Sequence, residues 1–325
     1  MNILYVITFT ALSFVSSTSM HTHRSSGQKE REEDGAFTQR DSMHYDKDGS
    51  HHTQFDHEAI LGSRTMADEF DSLPPEVSKS KLKEISLKMD KDKDGIITRD
   101  ELRDWVLKSF SLLSKEEADE KFDEEDENQD GKVTWAEHVN DVFGSFIDDN
   151  EISTDNLEQE KLKDEDKLLF EIADSNNDGV LDSKEFVAFT NPEEHKHMYP
   201  ALYKRTMEEK DKNNDGFISQ DEFIGEFGHK NEEQYLIEKD RFEKEFDLNH
   251  DNKLDEEEVL KWLIPDNNEI ANDEVEHLIH EADKDHDGRL SIEEIVDNHD
   301  VFVGSEVTDF GAHLHDTDKF THEEL

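Results

Sequence analysis

Apolar residues recur along this chain at helical spacing, in short segments that flank very acidic stretches. One helical face, spaced i, i+3, i+4 and i+7, carries Val275, Leu278, Ile279 and Ala282, and Asn272 can cap that helix. Comparable stripes are Leu168, Leu169, Phe170 and Ile172; Phe223, Ile224 and Phe227; and Ile292, Ile295 and Val296. We interpret these stripes as core between paired helices. Helices must stop or start between them, at Pro192, Pro200 and Pro265.

The acidic stretches share a twelve-residue pattern, D-x-[DN]-x-[DN]-G-x5-E. In the first stretch, DKDKDGIITRDE, the predicted ligand positions 1, 3, 5, 7 and 12 hold Asp90, Asp92, Asp94, Ile96 and Glu101. Position 7 would bind through its backbone carbonyl and the glutamate through both side-chain oxygens. Six to eight oxygen ligands suit calcium, whereas zinc or copper would call for His and Cys. Because only a cation makes this crowding of carboxylates tolerable, the pattern predicts a calcium site.

The pattern occurs six times, in loops that begin at residues 90, 126, 174, 211, 247 and 283. This regular period predicts one helix-loop-helix unit per loop, with an insertion of about a dozen residues after the second. The predicted ligands of loops 2 to 6, in the same order of positions, are Asp126, Asn128, Asp130, Lys132 and Glu137; Asp174, Asn176, Asp178, Val180 and Glu185; Asp211, Asn213, Asp215, Phe217 and Glu222; Asp247, Asn249, Asp251, Lys253 and Glu258; and Asp283, Asp285, Asp287, Arg289 and Glu294. The chain is thus expected to bind up to six calcium ions.

Loop 5 departs from the pattern, because Asn252 stands where the other loops have glycine. Asparagine is the residue after glycine that best tolerates a left-handed backbone. The side-chain ligand positions of loop 5 all hold the expected Asp, Asn or Glu, and Asp255 adds an acidic residue at position 9. We therefore expect loop 5 to bind calcium as well.

Position 8 of every loop is apolar, where two facing loops can form a short antiparallel bridge; the residues are Ile97, Val133, Leu181, Ile218, Leu254 and Leu290. An even number of loops can pair throughout. We predict an all-α fold of six units in three consecutive pairs, at residues 76–145, 163–228 and 232–303, with an acidic linker at 146–162. A mobile acidic segment that contains histidines, 20–75, would precede them.

The charge of the chain is very negative, with 86 Asp and Glu against 36 Lys and Arg, a formal net charge of −50. Hydrophobic residues make up only 32% of the chain, which is close to the border of disorder. Six calcium ions would relieve the repulsion where it is densest, so folding and calcium binding should be coupled. Such a surface argues against nucleic acid or an anionic membrane as partner.

The two ends of the sequence predict a compartment. Residues 1–19, MNILYVITFTALSFVSSTS, have the apolar run and small residues typical of a secretory signal peptide. No other segment is apolar for long enough to span a bilayer. The tail, 304–325, ends in HEEL, which resembles the retrieval signal HDEL. Cysteine is absent, so disulfides play no part. We expect a protein of the endoplasmic reticulum lumen, or of other secretory compartments or the medium.

Signal peptide, acidic composition, six loops at this spacing and the last four residues together resemble the CREC family, which contains reticulocalbin and calumenin. The stretch HYDKDGSHHTQFDHEAILG, residues 44–62, also resembles the family's segment before its first EF-hand. The resemblance implies low-affinity calcium binding in the secretory pathway, as a buffer and as a calcium-dependent partner of luminal client or regulatory proteins. HEEL in place of HDEL and Asn252 in place of glycine are departures from the family's pattern.

Two features of the N-terminal segment are not explained by the six loops. The run Tyr45 to Gly49 looks like the start of a further loop, but the glycine follows Asp46 too closely, and we interpret it as an acidic turn. The histidines around it are His44, His51, His52 and His57. They could bind a transition metal or sense pH, although a solvated, mobile segment is the favoured interpretation.

Two other classes of function were weighed. A calcium sensor of the calmodulin type would expose Met-rich apolar grooves to a target, and seven Met in 325 residues do not supply them. Aromatic grooves remain an alternative for calcium-dependent docking. An enzyme is not expected, because the chain has no G-x-S-x-G, no H-E-x-x-H, no phosphate-binding glycine loop and no cysteine. We expect a monomer that is not inserted in a membrane.

Overall fold

The computed structural model describes residues 31–32, 35–42, 44–45, 51–144, 154–230 and 232–303, without the side chains of 154–159 and 226–231. The predicted signal peptide and the tail lie outside the described residues. None of the described helices is long and apolar enough to cross a lipid bilayer.

Helices dominate the described residues, as predicted. They are α1 (Gln54–Leu61), α2 (Arg64–Asp71), α3 (Pro75–Met89), α4 (Arg99–Glu125), α5 (Trp135–Phe143), α6 (Thr154–Ala173), α7 (Ser183–Thr190), α8 (Tyr199–Lys210), α9 (Gln220–Lys230), α10 (Glu232–Arg241), α11 (Glu256–Leu263), α12 (Asn267–Ala282), α13 (Ile292–Asp297) and α14 (His299–Phe302). A π-helical turn at Phe242–Phe246 leads into loop 5, and two 3-10 turns, Pro192–Glu194 and Lys196–Met198, precede α8. The all-α class is confirmed.

Six two-residue strands, one in each loop, form three antiparallel bridges; they are β1 (Ile96–Ile97), β2 (Val133–Thr134), β3 (Val180–Leu181), β4 (Ile218–Ser219), β5 (Lys253–Leu254) and β6 (Leu290–Ser291). In each bridge, two buried residues at position 8 face each other. The arrangement in three pairs is confirmed. The predicted partners were wrong, because β1 pairs with β6, β2 with β3 and β4 with β5.

The reason for this pairing lies in α4. This single 27-residue helix leaves loop 1 and enters loop 2 without a break, and 27 residues of α-helix span about 40 Å. Loops 1 and 2 therefore lie at opposite ends of one rod and cannot face each other. Loop 2 pairs with loop 3 instead, loop 4 with loop 5, and the two terminal loops of the array pair together. The absence of Gly and Pro between Glu101 and Asp126 was the signal in the sequence.

Each pair encloses its own apolar core. The core of loops 1 and 6 takes residues from α3, α4, α12 and α13, and also from α1 and α2. The core of loops 2 and 3 is rich in Phe, including Phe170, Phe186 and Phe189. The core of loops 4 and 5 centres on Phe223, Phe242 and Trp262. The interpretation of the Phe-rich stripes as core is therefore correct where their side chains are described.

The segment 20–75 is corrected in its extent. Its residues up to 30 lie outside the described residues, but α1 and α2 pack on the core of loops 1 and 6. Trp105 Nε1 donates a hydrogen bond of 2.8 Å to the backbone oxygen of Ile60 in α1. Ahead of α1, Phe37 lies in the core of loops 2 and 3, and its N–H donates to Leu263 O at 2.9 Å. These described residues form a strap that contacts all three pairs, with Ala36 in the third core.

Two further expectations are corrected. The acidic linker 146–162 ends earlier than predicted, because α6 already begins at Thr154. Asn272 is not a cap, since α12 begins five residues before it and Asp266 accepts from the N–H groups of Asn268 and Glu269. Pro200 does lie in the first turn of α8, and Pro265 lies between α11 and α12, as the sequence predicted.

A core substitution can test the pairing of loop 1 with loop 6. Leu290 of β6 is fully buried opposite Ile97, and replacing a buried Leu by Ala costs about 2–5 kcal/mol. We expect Leu290→Ala to accelerate amide hydrogen exchange in β1 and the first turns of α4, measured by mass spectrometry of the calcium-loaded protein. Faster exchange in β5 and α11, with β1 unchanged, would instead support pairing of consecutive loops.

Candidate calcium sites

All six loops use the aspartate at position 1 in the same way. One of its oxygens accepts the N–H of the residue at position 6, over distances of 2.8–3.0 Å. The aspartate at position 5 accepts the N–H of position 7, over 2.8–3.1 Å. These bonds wrap the loop around its carboxylates and leave the remaining oxygen lone pairs for a cation. Loop 5, with Asn252, has the same bonds as the five loops with glycine.

The glutamate at position 12 joins the loop to the helix that follows. In loop 1, Glu101 accepts the N–H of Lys91 and that of Thr98, both at 2.9 Å. Burial opposes ionisation of Glu101, but the hydrogen bonds from Thr98 and from the backbone of Lys91 and Asp92 together lower the pKa of this carboxyl. Together Thr98 and Glu101 form a capping box at the start of α4, and four more loops have such a box. The carboxylate predicted to bind calcium from position 12 is therefore also the one that caps the following helix.

Backbone strain is confined to these loops among the described non-glycine residues. A positive φ of 58–64° occurs at position 4 of every loop, in Lys93, Gln129, Asn177, Asn214, His250 and His286, and at Asn252. The glycines at position 6 have φ of 79–87°. Such conformations cost on the order of 1 kcal/mol or more for residues with a Cβ and are typical of sites where the fold must hold a ligand.

Loops 1 and 6, which form one pair, bring the most carboxylates together. Asp90, Asp92 and Asp94 each place an oxygen within 4.8 Å of the others, and the same holds for Asp283, Asp285 and Glu294. Both loops have aspartate at position 3, where loops 2 to 5 have asparagine. In loops 2 and 3 this asparagine donates to the position-12 glutamate, at 2.7 and 3.0 Å. At the side-chain ligand positions 1, 3, 5 and 12, the pair of loops 1 and 6 thus has the largest negative charge.

Lysines at position 7 contact the facing loop in the other two pairs. Lys132 Nζ lies 2.9 Å from Asp178 Oδ2, and Lys253 Nζ lies 2.9 Å from Asp215 Oδ2. The hydrogen bonds from these lysines lower the pKa of Asp178 and Asp215. The sequence pattern predicts both lysines as calcium ligands only through their backbone carbonyls. Their side-chain role depends on the partner loop, which the sequence pattern did not give.

The donor set fits calcium. At the side-chain ligand positions 1, 3, 5 and 12, every loop offers only carboxylate or amide oxygens. Hard oxygen donors in a flexible loop suit calcium better than a transition metal. The predicted residues therefore remain the proposed ligands in all six loops.

Known proteins share both the motif and the length of this chain. Models of an EF-hand domain pair match residues 90–145, 163–227 and 239–298. Reticulocalbin-2 from Crotalus adamanteus is 38% identical over 286 residues, which cover 85% of this chain and 93% of the relative. Reticulocalbin-2 from Rattus norvegicus and from Mus musculus are each 39% identical over 294 residues, which cover 88% of this chain and 91% of the relative. The chain belongs to the reticulocalbin family of EF-hand calcium-binding proteins.

The matched segments of this reticulocalbin-family protein follow consecutive loops in sequence, close to the predicted boundaries. In the structure, however, the two loops of each matched segment belong to different bridged pairs. A domain pair defined along the sequence is therefore not the packed pair here.

Asn252 allows a matched test of the strain in loop 5. Its φ of 64° is tolerated by glycine and disfavoured for alanine. We expect Asn252→Gly to keep the calcium affinity of loop 5 within about twofold of that of the unchanged protein. Asn252→Ala should lower this affinity by about tenfold, because alanine at this φ adds a backbone strain of about 1–2 kcal/mol. Calcium titration followed by the fluorescence of Trp262, with Trp105 and Trp135 replaced by Phe, would measure both. Equal affinities of the two variants would contradict the assigned strain.

Proposed function

We propose that this protein is a low-affinity calcium-binding protein of the endoplasmic reticulum lumen, which buffers calcium and binds luminal client or regulatory proteins in a calcium-dependent way. Calcium would be held by the oxygen ligands predicted in the six loops. No catalytic activity and no membrane insertion are part of the proposal, and the protein would act as a monomer.

The contact of a lysine with a ligand carboxylate carries the proposal of low affinity. In two of the three pairs, calcium must compete with the ammonium group of Lys132 or Lys253 for an aspartate oxygen. Each lysine also adds a positive charge beside the ion. Affinity of such loops depends on the number and charge of the ligands, over a range of roughly nanomolar to millimolar. Weak sites suit a compartment in which calcium is abundant.

The three pairs are expected to differ in affinity. Loops 1 and 6 have four carboxylates each at the side-chain ligand positions, whereas loops 2 to 5 have three. Position 7 is Ile96 in loop 1, and Arg289 at position 7 of loop 6 makes no ion pair with a carboxylate of loop 1 among the described residues. We therefore expect the pair of loops 1 and 6 to fill first, and the pairs that contain Lys132 and Lys253 to fill at higher calcium. The protein would then buffer over a broad range of concentration.

Support for the location and for client binding comes from the sequence. The predicted signal peptide and the HEEL tetrapeptide favour the lumen, and the resemblance to the CREC family implies both the location and the clients. Fractionation of cells that express the full chain, with a luminal marker, tests the location directly.

The calcium proposal is tested by titrating the full chain with calcium, followed by calorimetry and far-UV circular dichroism, with magnesium as competitor. We expect about six ions, bound in the micromolar to millimolar part of the range, with a gain of helix, since the glutamate at position 12 also caps the following helix in five of the six loops. Binding of only one or two ions at nanomolar concentration, or full helicity without calcium, would favour the sensor or scaffold role over the buffer.

Removal of the competing lysine tests the structural basis of low affinity. Lys132→Met takes away the cation on Asp178, and we expect calcium to bind loop 3 more tightly, by less than about tenfold because this exposed pair is screened by water. Trp135, which packs on the core of loops 2 and 3, reports the binding in a variant without the other tryptophans.

Lys184→Met is the matched control, because Lys184 is exposed at position 11 of loop 3 and the substitution changes the net charge equally. We expect a smaller gain in affinity. If both variants gain equally, the effect is that of general charge, and the lysine contact does not set the affinity.

A further inference from the structure

A cluster of three histidines and one aspartate lies outside the six loops. It joins His44 and His51, on either side of the acidic turn, to Asp56 in α1 and His277 in α12. One ligand atom from each residue lies within 4.8 Å of all the others. The sequence interpretation of His44 and His51 as part of a solvated segment is therefore wrong for the described structure. His277 lies at least 226 residues after His44 and His51, and no sequence pattern indicated that it would join them.

The Nε2 atoms of the three imidazoles surround one carboxylate. His44 Nε2 lies 2.8 Å from Asp56 Oδ1 and 2.8 Å from His51 Nε2. His51 Nε2 and His277 Nε2 lie 3.2 and 3.5 Å from Asp56 Oδ2. A tetrahedron with metal–ligand distances of about 2.0–2.1 Å has edges of about 3.3 Å. The contacts of 2.8–3.5 Å are close to this edge, and all four ligand atoms lie within 4.8 Å of one another, so the four residues can surround one tetrahedral metal ion.

The cluster is partly buried, with the side chains of His51 and His277 28% and 19% exposed. Asp56 is fully buried, and His44 is 5% exposed. Neither oxygen of Asp56, nor Nε2 of His277, has a partner of acceptable hydrogen-bond geometry among the described residues. The carboxylate of Asp56 and the Nε2 of His277 therefore lie close together without hydrogen-bond geometry, as in a metal site, where each lone pair points at the ion instead.

Charge and protonation favour a cation at the centre. The ion-pair partners of Asp56 in the described part of the chain are the three histidines. Two Nε2 atoms 2.8 Å apart cannot both carry a hydrogen, so His44 or His51 presents a lone pair to its neighbour. Glu274, one turn before His277 in α12, is also buried, and neither of its oxygens has a hydrogen-bond partner among the described residues. A buried carboxylate such as that of Asp56 is costly without a cation beside it.

We propose that His44, His51, Asp56 and His277 form a site for one Zn²⁺ ion, separate from the six calcium loops. Three imidazoles with one carboxylate suit zinc, whereas calcium takes oxygen ligands and not imidazole nitrogens. A Zn²⁺ ion there would fix the N-terminal strap to α12, and hence to the pair of loops 1 and 6. Zinc would stabilise the packing of this strap.

The test uses the full chain in saturating calcium, so that the six loops are occupied, and titrates it with Zn²⁺ by calorimetry. Co²⁺ serves as the spectroscopic probe, because a tetrahedral site gives intense visible absorption. We expect one Zn²⁺ per chain, a strong Co²⁺ band that Zn²⁺ abolishes, and a higher melting temperature with Zn²⁺. His277→Gln should weaken Zn²⁺ binding by at least about tenfold and remove the band.

His280→Gln is the matched control, since His280 is exposed on the same helix, one turn after His277. It should bind Zn²⁺ and Co²⁺ like the unchanged protein. His51→Gln is a second test variant, whose side chain is 28% exposed and therefore less needed for folding. Circular dichroism verifies that each variant is folded.

Three results would overturn the proposal. The first is no Zn²⁺ binding in saturating calcium, which would mean that the four residues contact each other only through hydrogen bonds and ion pairs. The second is equal Zn²⁺ affinity in His277→Gln, His51→Gln and His280→Gln. The third is a weak, octahedral Co²⁺ spectrum, which would place the ion in a calcium loop.

Discussion

Pairing of the calcium loops is the constraint on which the rest of the structure depends. Each loop contributes only a two-residue strand, and neither its backbone edge nor its apolar position 8 is satisfied alone. Because α4 is one unbroken rod, loops 1 and 2 are separated, and pairing continues until the first loop meets the last. This pairing produces three apolar cores, each built from two loops and their helices.

The same pairing determines the electrostatics of the sites. It places Lys132 against Asp178 and Lys253 against Asp215, and it joins the two loops that have four carboxylates. A chain with a net charge of −50 concentrates carboxylates in the loops proposed to bind calcium, and in five of these loops the glutamate at position 12 also caps the following helix. Charge, helix formation and metal binding are thus coupled through a few carboxylates in each loop.

The N-terminal strap shows where composition misleads. Its acidic, histidine-containing sequence predicts a mobile segment, yet Phe37, Ile60 and Phe70 are buried in two cores. The Trp105 indole and the backbone of Leu263 hold it by hydrogen bonds. A few apolar residues suffice to fix an acidic segment when complementary grooves exist, and those grooves are built by the paired loops and their helices.

The sequence by itself determined the six loops, the helical class, the buried position 8 and the tolerance of Asn252 for a left-handed backbone. These features are local and periodic, so they can be recognised within one unit. Only the tertiary structure decided the partner of each loop, the contact of Lys132 with Asp178, and the meeting of His44 with His277. These contacts join residues far apart in sequence, and a repeated motif carries almost no information about which copy it will face. That choice depends on the length and continuity of the helices between the loops, above all α4.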